Sequence, residues 1–182
     1  GSVPGGDAAR PATNYPLTGA KHSLYEGGIR VPFLACGPGI TAGSICHAPV
    51  VGYDFLPTFY DLAGGSGELT DEIDGHSFRG LLNASASAPS DAAQSPRYFH
   101  RPNRLFSAIR QGDYKLMLFW TRAGEVASRE LYAVGRDPRE EGHDIADQNP
   151  ATADRLQGLL LEHLAAVDAE RPSPAKPKRK KR

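Results

Sequence analysis

The stretch Lys21-His22-Ser23-Leu24-Tyr25-Glu26-Gly27-Gly28-Ile29-Arg30-Val31-Pro32 decides how the rest of the chain is read. Two consecutive glycines between an acid and a base permit a tight backbone turn. Glu26 and Arg30 flank that turn, and a carboxylate and a guanidinium so placed can pair across it by bidentate hydrogen bonds. The apolar run Val31-Pro32-Phe33-Leu34-Ala35-Cys36, closed by Gly37-Pro38-Gly39, reads as a buried strand and a turn. Lys21 then stands on a loop at the entrance of that strand. Taken alone, one lysine in such a loop reads as a solvated surface charge.

Upstream, Gly1 to Thr18 is rich in Gly, Pro and Ala without periodicity and reads as a loop. Downstream, Cys46 to Val51 is a second extended stretch. Asp54 precedes Phe55–Ala63, a short helix ended by Gly64-Gly65, and its carboxylate is expected to cap the first turn. Glu68 to Leu82 looks irregular, and Asn83 to Ser95 is an Ala/Ser/Pro linker containing the sequon Asn83-Ala84-Ser85. Three strands follow at Leu105–Gln111, Tyr114–Trp120 and Arg129–Val134, the first two joined through Gln111-Gly112-Asp113. Met117 and Trp120 are expected in a core or interface. Asn149-Pro150 sets a helix start, and Leu156, Leu159, Leu160, Leu164 and Val167 give it one buried face. His163 on this helix is expected to face solvent. The order is mixed α and β, with a hairpin-rich second half and a terminal packing helix.

The pattern G-x-K-x-x-x-Y-E-G-G-x-R-V-P at Gly19–Pro32 resembles the lysine segment of the sulfatases, arylsulfatase-like members of the alkaline-phosphatase-like superfamily. Four further stretches resemble the same family in the same order. They are Val51-Gly52-Tyr53-Asp54-Phe55-Leu56-Pro57-Thr58, Ile73-Asp74-Gly75-His76-Ser77-Phe78, the hairpin Ser107–Leu116, and Glu130-Leu131-Tyr132 with Asp137-Pro138-Arg139-Glu140-Glu141. The resemblance implies an α/β fold: the C-terminal portion of an alkaline-phosphatase-like sandwich plus a small antiparallel sheet domain with a terminal helix. It divides the chain into the end of the catalytic domain (1–82), a linker (83–96), a small α+β subdomain (97–170) and a basic tail (171–182).

The resemblance also implies a parent that hydrolyses sulfate esters, on sugar or aryl groups. Lys21 corresponds to the family's lysine that reaches the sulfate and is the catalytic candidate; His22 and His100 are candidates for substrate contact. A fixed ammonium suits charge that persists on sulfuryl oxygens and develops on the leaving oxygen. The family's nucleophile is a formylglycine made within C/S-x-P-x-R, and its metal is Ca2+; this chain contains neither that motif nor the paired aspartates, so no metal ligand is assigned here. Both are expected from a part of the protein beyond this chain, and the fragment alone is expected to be inactive. The family works in periplasm, lysosome or the extracellular space. Two alternatives stand beside this reading: a phosphodiester- or phosphonate-cleaving relative, and a non-enzymatic polyanion-binding fragment.

Composition fits these expectations. Hydrophobic residues make up 40% and charged residues 23%, the balance of a soluble globular domain. No apolar run approaches the roughly 20 residues that span a bilayer, and no signal-peptide pattern opens the chain. The net charge of zero conceals a division: six Lys and Arg residues fall within the last seven positions, so the remainder carries six more acids than bases. Such a body does not read as a nucleic-acid-binding fold. The tail reads as solvated, with polyanion contact as its functional alternative. Cys36 and Cys46 form no C-x-x-C pair and read as two buried, unpaired thiols, with a disulfide as the other option. Asp71, Glu72 and Asp74 read as solvated acids, and the six histidines show no metal-ligand spacing.

Overall fold

The computed structural model describes residues 14–67, 69–70, 73–83 and 94–172. Asp71, Glu72, most of the linker with Ala84 and Ser85 of the sequon, and the tail from 173 onward lie outside the described residues. Two compact units result, one joining 14–31 to 96–172 and the other formed within 32–95. The lysine segment up to Val31 falls in the same unit as the C-terminal sheet, where buried ion pairs, described below, tie it.

The first unit is built on a four-stranded antiparallel meander, ordered β1 (Arg97–Arg101), β2 (Phe106–Gln111), β3 (Tyr114–Trp120) and β4 (Val126–Tyr132). Gln111 pairs with Tyr114 around Gly112, whose φ of +56° is the positive value a two-residue hairpin needs at its first position. Leu116, Met117 and Leu118 are all fully buried, so both faces of β3 are covered. One face bears Ile109, Leu116, Leu118 and Leu131 and packs against α3 (Pro150–Ala166) through Ala153, Leu156 and Leu160. The other bears Ala108, Met117 and Tyr132 and packs against Leu24 and Tyr25 of the lysine segment. Val167 closes the expected helical stripe but is exposed. His163, expected to face solvent, is half-buried: its ring stacks on Tyr98 of β1, centroids 3.7 Å apart and planes 4° from parallel.

The second unit centres on α2 (Phe55–Leu62), entered through a 3-10 turn at Gly52–Asp54. Because that turn already satisfies the helix entrance, the Asp54 carboxylate does not cap α2 as expected. It accepts instead from Val51 N at 3.0 Å and His76 N at 3.1 Å, tying the Ile73–Phe78 loop to the helix start. Gly75 permits this docking, since a Cβ there would lie 2.1 Å from Tyr53 O. Phe33, Phe55 and Phe78 meet edge to face, with centroids 5.4–5.8 Å apart.

The expected strand Val31–Cys36 does not form: it finds no partner strand among the described residues, and a strand without a ladder leaves its backbone groups unpaired; Cys46–Val51, expected to be extended, carries neither helix nor ladder. Val31 and Leu34 are 80% and 94% exposed. Cys36 and Cys46 are unpaired but exposed, which corrects the expectation of buried thiols: the segments that carry them lie at the surface. Among the described residues no helix is long and apolar enough to cross a membrane.

Candidate active-site lysine turn and its buried support

Lys21 and His22 occupy the two central positions of a turn that Ser23 N closes by donating to Ala20 O at 3.0 Å. His22 has φ +81°, the left-handed value that the third position of a type II turn requires and that favours glycine. Both side chains are exposed. The turn is held on each side. Thr18 precedes it, its carbonyl accepting from Gly27 N and its hydroxyl oxygen accepting from Glu140 N and Glu141 N at 3.2 and 2.9 Å. Leu24 and Tyr25 follow it and are anchored in the sheet core. From β1, Arg101 Nη1 donates to His22 O at 2.7 Å.

Gly27 and Gly28 do not form the tight turn expected of them. They lie in one helical turn, α1 (Glu26–Ile29), without positive φ. Glycine is needed for proximity instead: a Cβ on Gly27 would sit 2.5 Å from Gly19 O and 2.6 Å from Thr18 O, and one on Gly28 would sit 2.4 Å from Ser23 O.

Beneath the turn, Glu26 is fully buried among cations. Lys115 Nζ lies 3.0 Å from its Oε1 and 2.8 Å from Glu140 Oε1, all three side chains being sealed from solvent. Arg110 Nη1 approaches Glu26 Oε2 at 3.3 Å, and Arg30 Nε donates to the same oxygen, a single bond rather than the bidentate pair expected. Glu140 Oε2 accepts from the Glu26 backbone N–H at 2.5 Å. Burial works against ionisation of Glu26, yet Lys115, Arg30 and Arg110 hold its carboxyl below the ordinary value. For Glu140 burial prevails over the attraction of Lys115, and its carboxyl is pushed up. Beside this cluster, Glu130 Oε2 accepts from Tyr25 OH at 2.9 Å and Tyr132 OH at 2.6 Å. Burial, with the Glu130 charge, raises both phenols.

Three of the sequence motifs thus converge on one ionic cluster: Glu26 and Arg30 from the lysine segment, Arg110 and Lys115 from the hairpin, and Glu140 from Asp137–Glu141. Sequence reasoning did not find Lys115, Arg110, Glu140 or Arg101. The available signal was Lys115 itself, a charge between Tyr114 and Leu116 within an apolar strand.

His100 lies on the other side of the sheet. It pairs with Ser107, which shares the α3-facing side with Leu118. Its Nδ1 is 2.7 Å from Ser107 Oγ and its Nε2 2.6 Å from Glu170 O, while Trp120 Nε1 donates to Ser107 Oγ at 2.7 Å. An indole only donates and a carbonyl only accepts, so a neutral His100 carries its proton on Nε2. The structure brings Lys21 and His22 together and sets His100 apart from them. Among the described residues no group of three or more His, Cys, Asp or Glu is placed to hold a metal ion.

The first unit is thus a four-stranded antiparallel sheet backed by a terminal helix, with the lysine turn on its opposite face. Over residues 19–169 the chain matches the family described as N-sulphoglucosamine sulphohydrolase, C-terminal, and it belongs to that family. It is 31% identical over 167 residues to an arylsulfatase of Chlamydomonas reinhardtii, covering 77% of this chain and 26% of that protein. It is 32% identical over 150 residues to an N-acetylglucosamine-6-O-sulfatase of Bacteroides thetaiotaomicron, covering 78% and 26%. The solved structure of Ps i-CgsB in complex with k-i-k-neocarrahexaose is similar with a TM-score of 0.65 and 28% identity, over 88% of this chain and 34% of that one. The chain therefore spans about a quarter to a third of the length of these relatives.

Proposed function

We propose that the protein carrying this chain hydrolyses sulfate esters and that Lys21 contacts the sulfuryl group. The observation that carries this reading is the exposed Lys21 at the corner of a braced turn, within the family match at 19–169. A primary ammonium is a compact charge with three donors and needs no planar partner geometry. Set on a braced turn, it needs little reorganisation as charge builds on the sulfuryl and leaving oxygens. His22, its neighbour, is proposed to line the same substrate. His100 remains a substrate candidate read from sequence, and its contact would require giving up the bond to Glu170 O.

The substrate class is a sulfate ester on a sugar or aryl group. Sulfated sugars are favoured by what the relatives' names print: one is an N-acetylglucosamine-6-O-sulfatase, and a solved structure 26% identical to this chain holds its substrate D-glucosamine-2-N,6-O-disulfate. Formylglycine and Ca2+, when present, supply the nucleophile and charge neutralisation, and would come from residues outside this chain. Periplasm, lysosome or the extracellular space is the proposed location. The test is hydrolysis of an aryl sulfate and a sulfated monosaccharide by the full-length protein, against matched phosphate esters. Turnover of the phosphate esters alone would overturn this reading in favour of a phosphoryl-transfer relative.

A further inference from the structure

The geometry points to Arg101 as a positioning residue that holds the Lys21 turn in its working conformation from the neighbouring sheet; this inference rests on the proposed role of Lys21. Lys21 has no packing of its own to fix it, being exposed at a turn corner. The residue after it, His22, holds φ +81°, where a non-glycine residue is disfavoured by about 1 kcal/mol or more. A turn with that penalty relaxes unless something outside it specifies the backbone. From outside the lysine segment, Arg101 Nη1 donates to His22 O at 2.7 Å across 79 residues of sequence. This bond fixes the orientation of the peptide following His22, and with it the direction in which the Lys21–His22 corner points.

Arg101 is suited to this by its location. It ends β1, paired with Phe106 of β2, and Pro102 then opens a 3-10 turn at Pro102–Arg104. The guanidinium is therefore launched from the regular sheet rather than from a loop. A charged donor to a carbonyl is also stronger than a neutral one. In function, Arg101 does not touch the reacting atoms; it narrows the range of positions that the Lys21 ammonium samples. Misplacement of a catalytic group by about 1 Å can lower rates by about 10²-fold.

The test is a double-mutant cycle in the full-length enzyme on an aryl sulfate, with melting temperature measured on the same preparations. Arg101→Gln is expected to lower kcat about 10–100-fold with a smaller change in KM, and Arg101→Lys, which keeps one charged donor, to restore part of that loss. In a Lys21→Ala background, Arg101→Gln is expected to have almost no further effect. Arg104→Gln removes the same charge three residues on, from an exposed site, and is expected to leave kcat near wild type. An equal loss from Arg101→Gln with and without Lys21 would overturn the positioning role, as would full activity of Arg101→Gln beside a crippled Lys21→Ala. Wild-type kinetics in Lys21→Ala would overturn both this inference and the catalytic reading of Lys21. If Arg101→Gln lowers the melting temperature, Arg101→Lys decides: its melting temperature returning without any recovery of kcat would also overturn the role.

Discussion

The Lys115 ammonium stands 2.8 Å from Glu140 and 3.0 Å from Glu26, and no part of the three side chains reaches solvent. Fully buried charges are tolerated only when paired, and removing one partner strands the others. Lys115→Met leaves Glu140 without its cation, whereas Glu26 keeps Arg30 and Arg110. The expected loss is about 3–5 kcal/mol, read by denaturant unfolding or by soluble yield of the full-length protein. A loss under about 1 kcal/mol would mean that the cluster is hydrated in solution.

The two carboxylates in this cluster respond to pH in opposite senses. Glu26 is held below its ordinary value of 4.5, so its contribution is present above that pH and fades as pH falls below it. Glu140 is raised above 4.5, so the folded state retains its proton longer, and the stability this gives is lost as pH rises through its folded value. Glu140→Gln is therefore expected to flatten the decline of melting temperature above pH 4.5, whatever it does to the absolute value. An unchanged slope would show that Glu140 ionises as freely folded as unfolded.

At His22 the left-handed backbone sets an expectation separate from catalysis. His22→Gly should stabilise by up to about 1 kcal/mol or be neutral, while His22→Val should destabilise by more than that. Thermal melting of the two variants orders them. A reduced kcat/KM in a fully stable His22→Gly variant would identify a substrate role for the imidazole itself.

Gly27 has no room for one more carbon. Gly27→Ala places a methyl 2.5 Å from Gly19 O and 2.6 Å from Thr18 O, both backbone atoms that cannot swing aside. Overpacking of this kind is expected to destabilise by about 1–3 kcal/mol and to displace the lysine turn, lowering kcat together with melting temperature. A variant that melts like wild type would contradict the close packing of these segments.

Lys21→Ala in the full-length protein is expected to lower kcat and kcat/KM by about 10²–10³ without changing the melting temperature. Lys21→Arg should recover only part of that activity, since a planar guanidinium places its charge differently. Near-normal kinetics, or a loss that tracks unfolding, would remove Lys21 from the active site.

How much was legible in the sequence varies with how local the cause is. The hairpin around Gly112 and the helix after Pro150 follow from turn chemistry and period, and both form close to where they were expected. The strand Arg97–Arg101 was not foreseen, because its five residues include two arginines and a histidine whose partners lie on β2 and in distant loops. Val31–Cys36 has a strand's composition but no neighbour to pair with among the described residues. The lysine turn was visible as a motif. Its support was not, since nothing in the one-dimensional pattern says that Lys115 is sealed in rather than solvated, or that Glu140 sits against the backbone of Glu26.

The Glu26 cluster also sets a clock on synthesis. Glu26 leaves the ribosome 89 residues before Lys115 and 114 before Glu140. At about 5–20 residues per second, the first of those intervals lasts roughly 4–18 s. Until Arg110 emerges, 84 residues after Glu26, a carboxylate destined for the interior has none of its distant cations, and throughout the interval Leu24 and Tyr25 lack Met117 and Tyr132, which cover them in the fold. The nascent segment that carries Lys21 thus waits through several later elements of the chain for the partners that bury Glu26, a stretch of time over which holding chaperones would act on it.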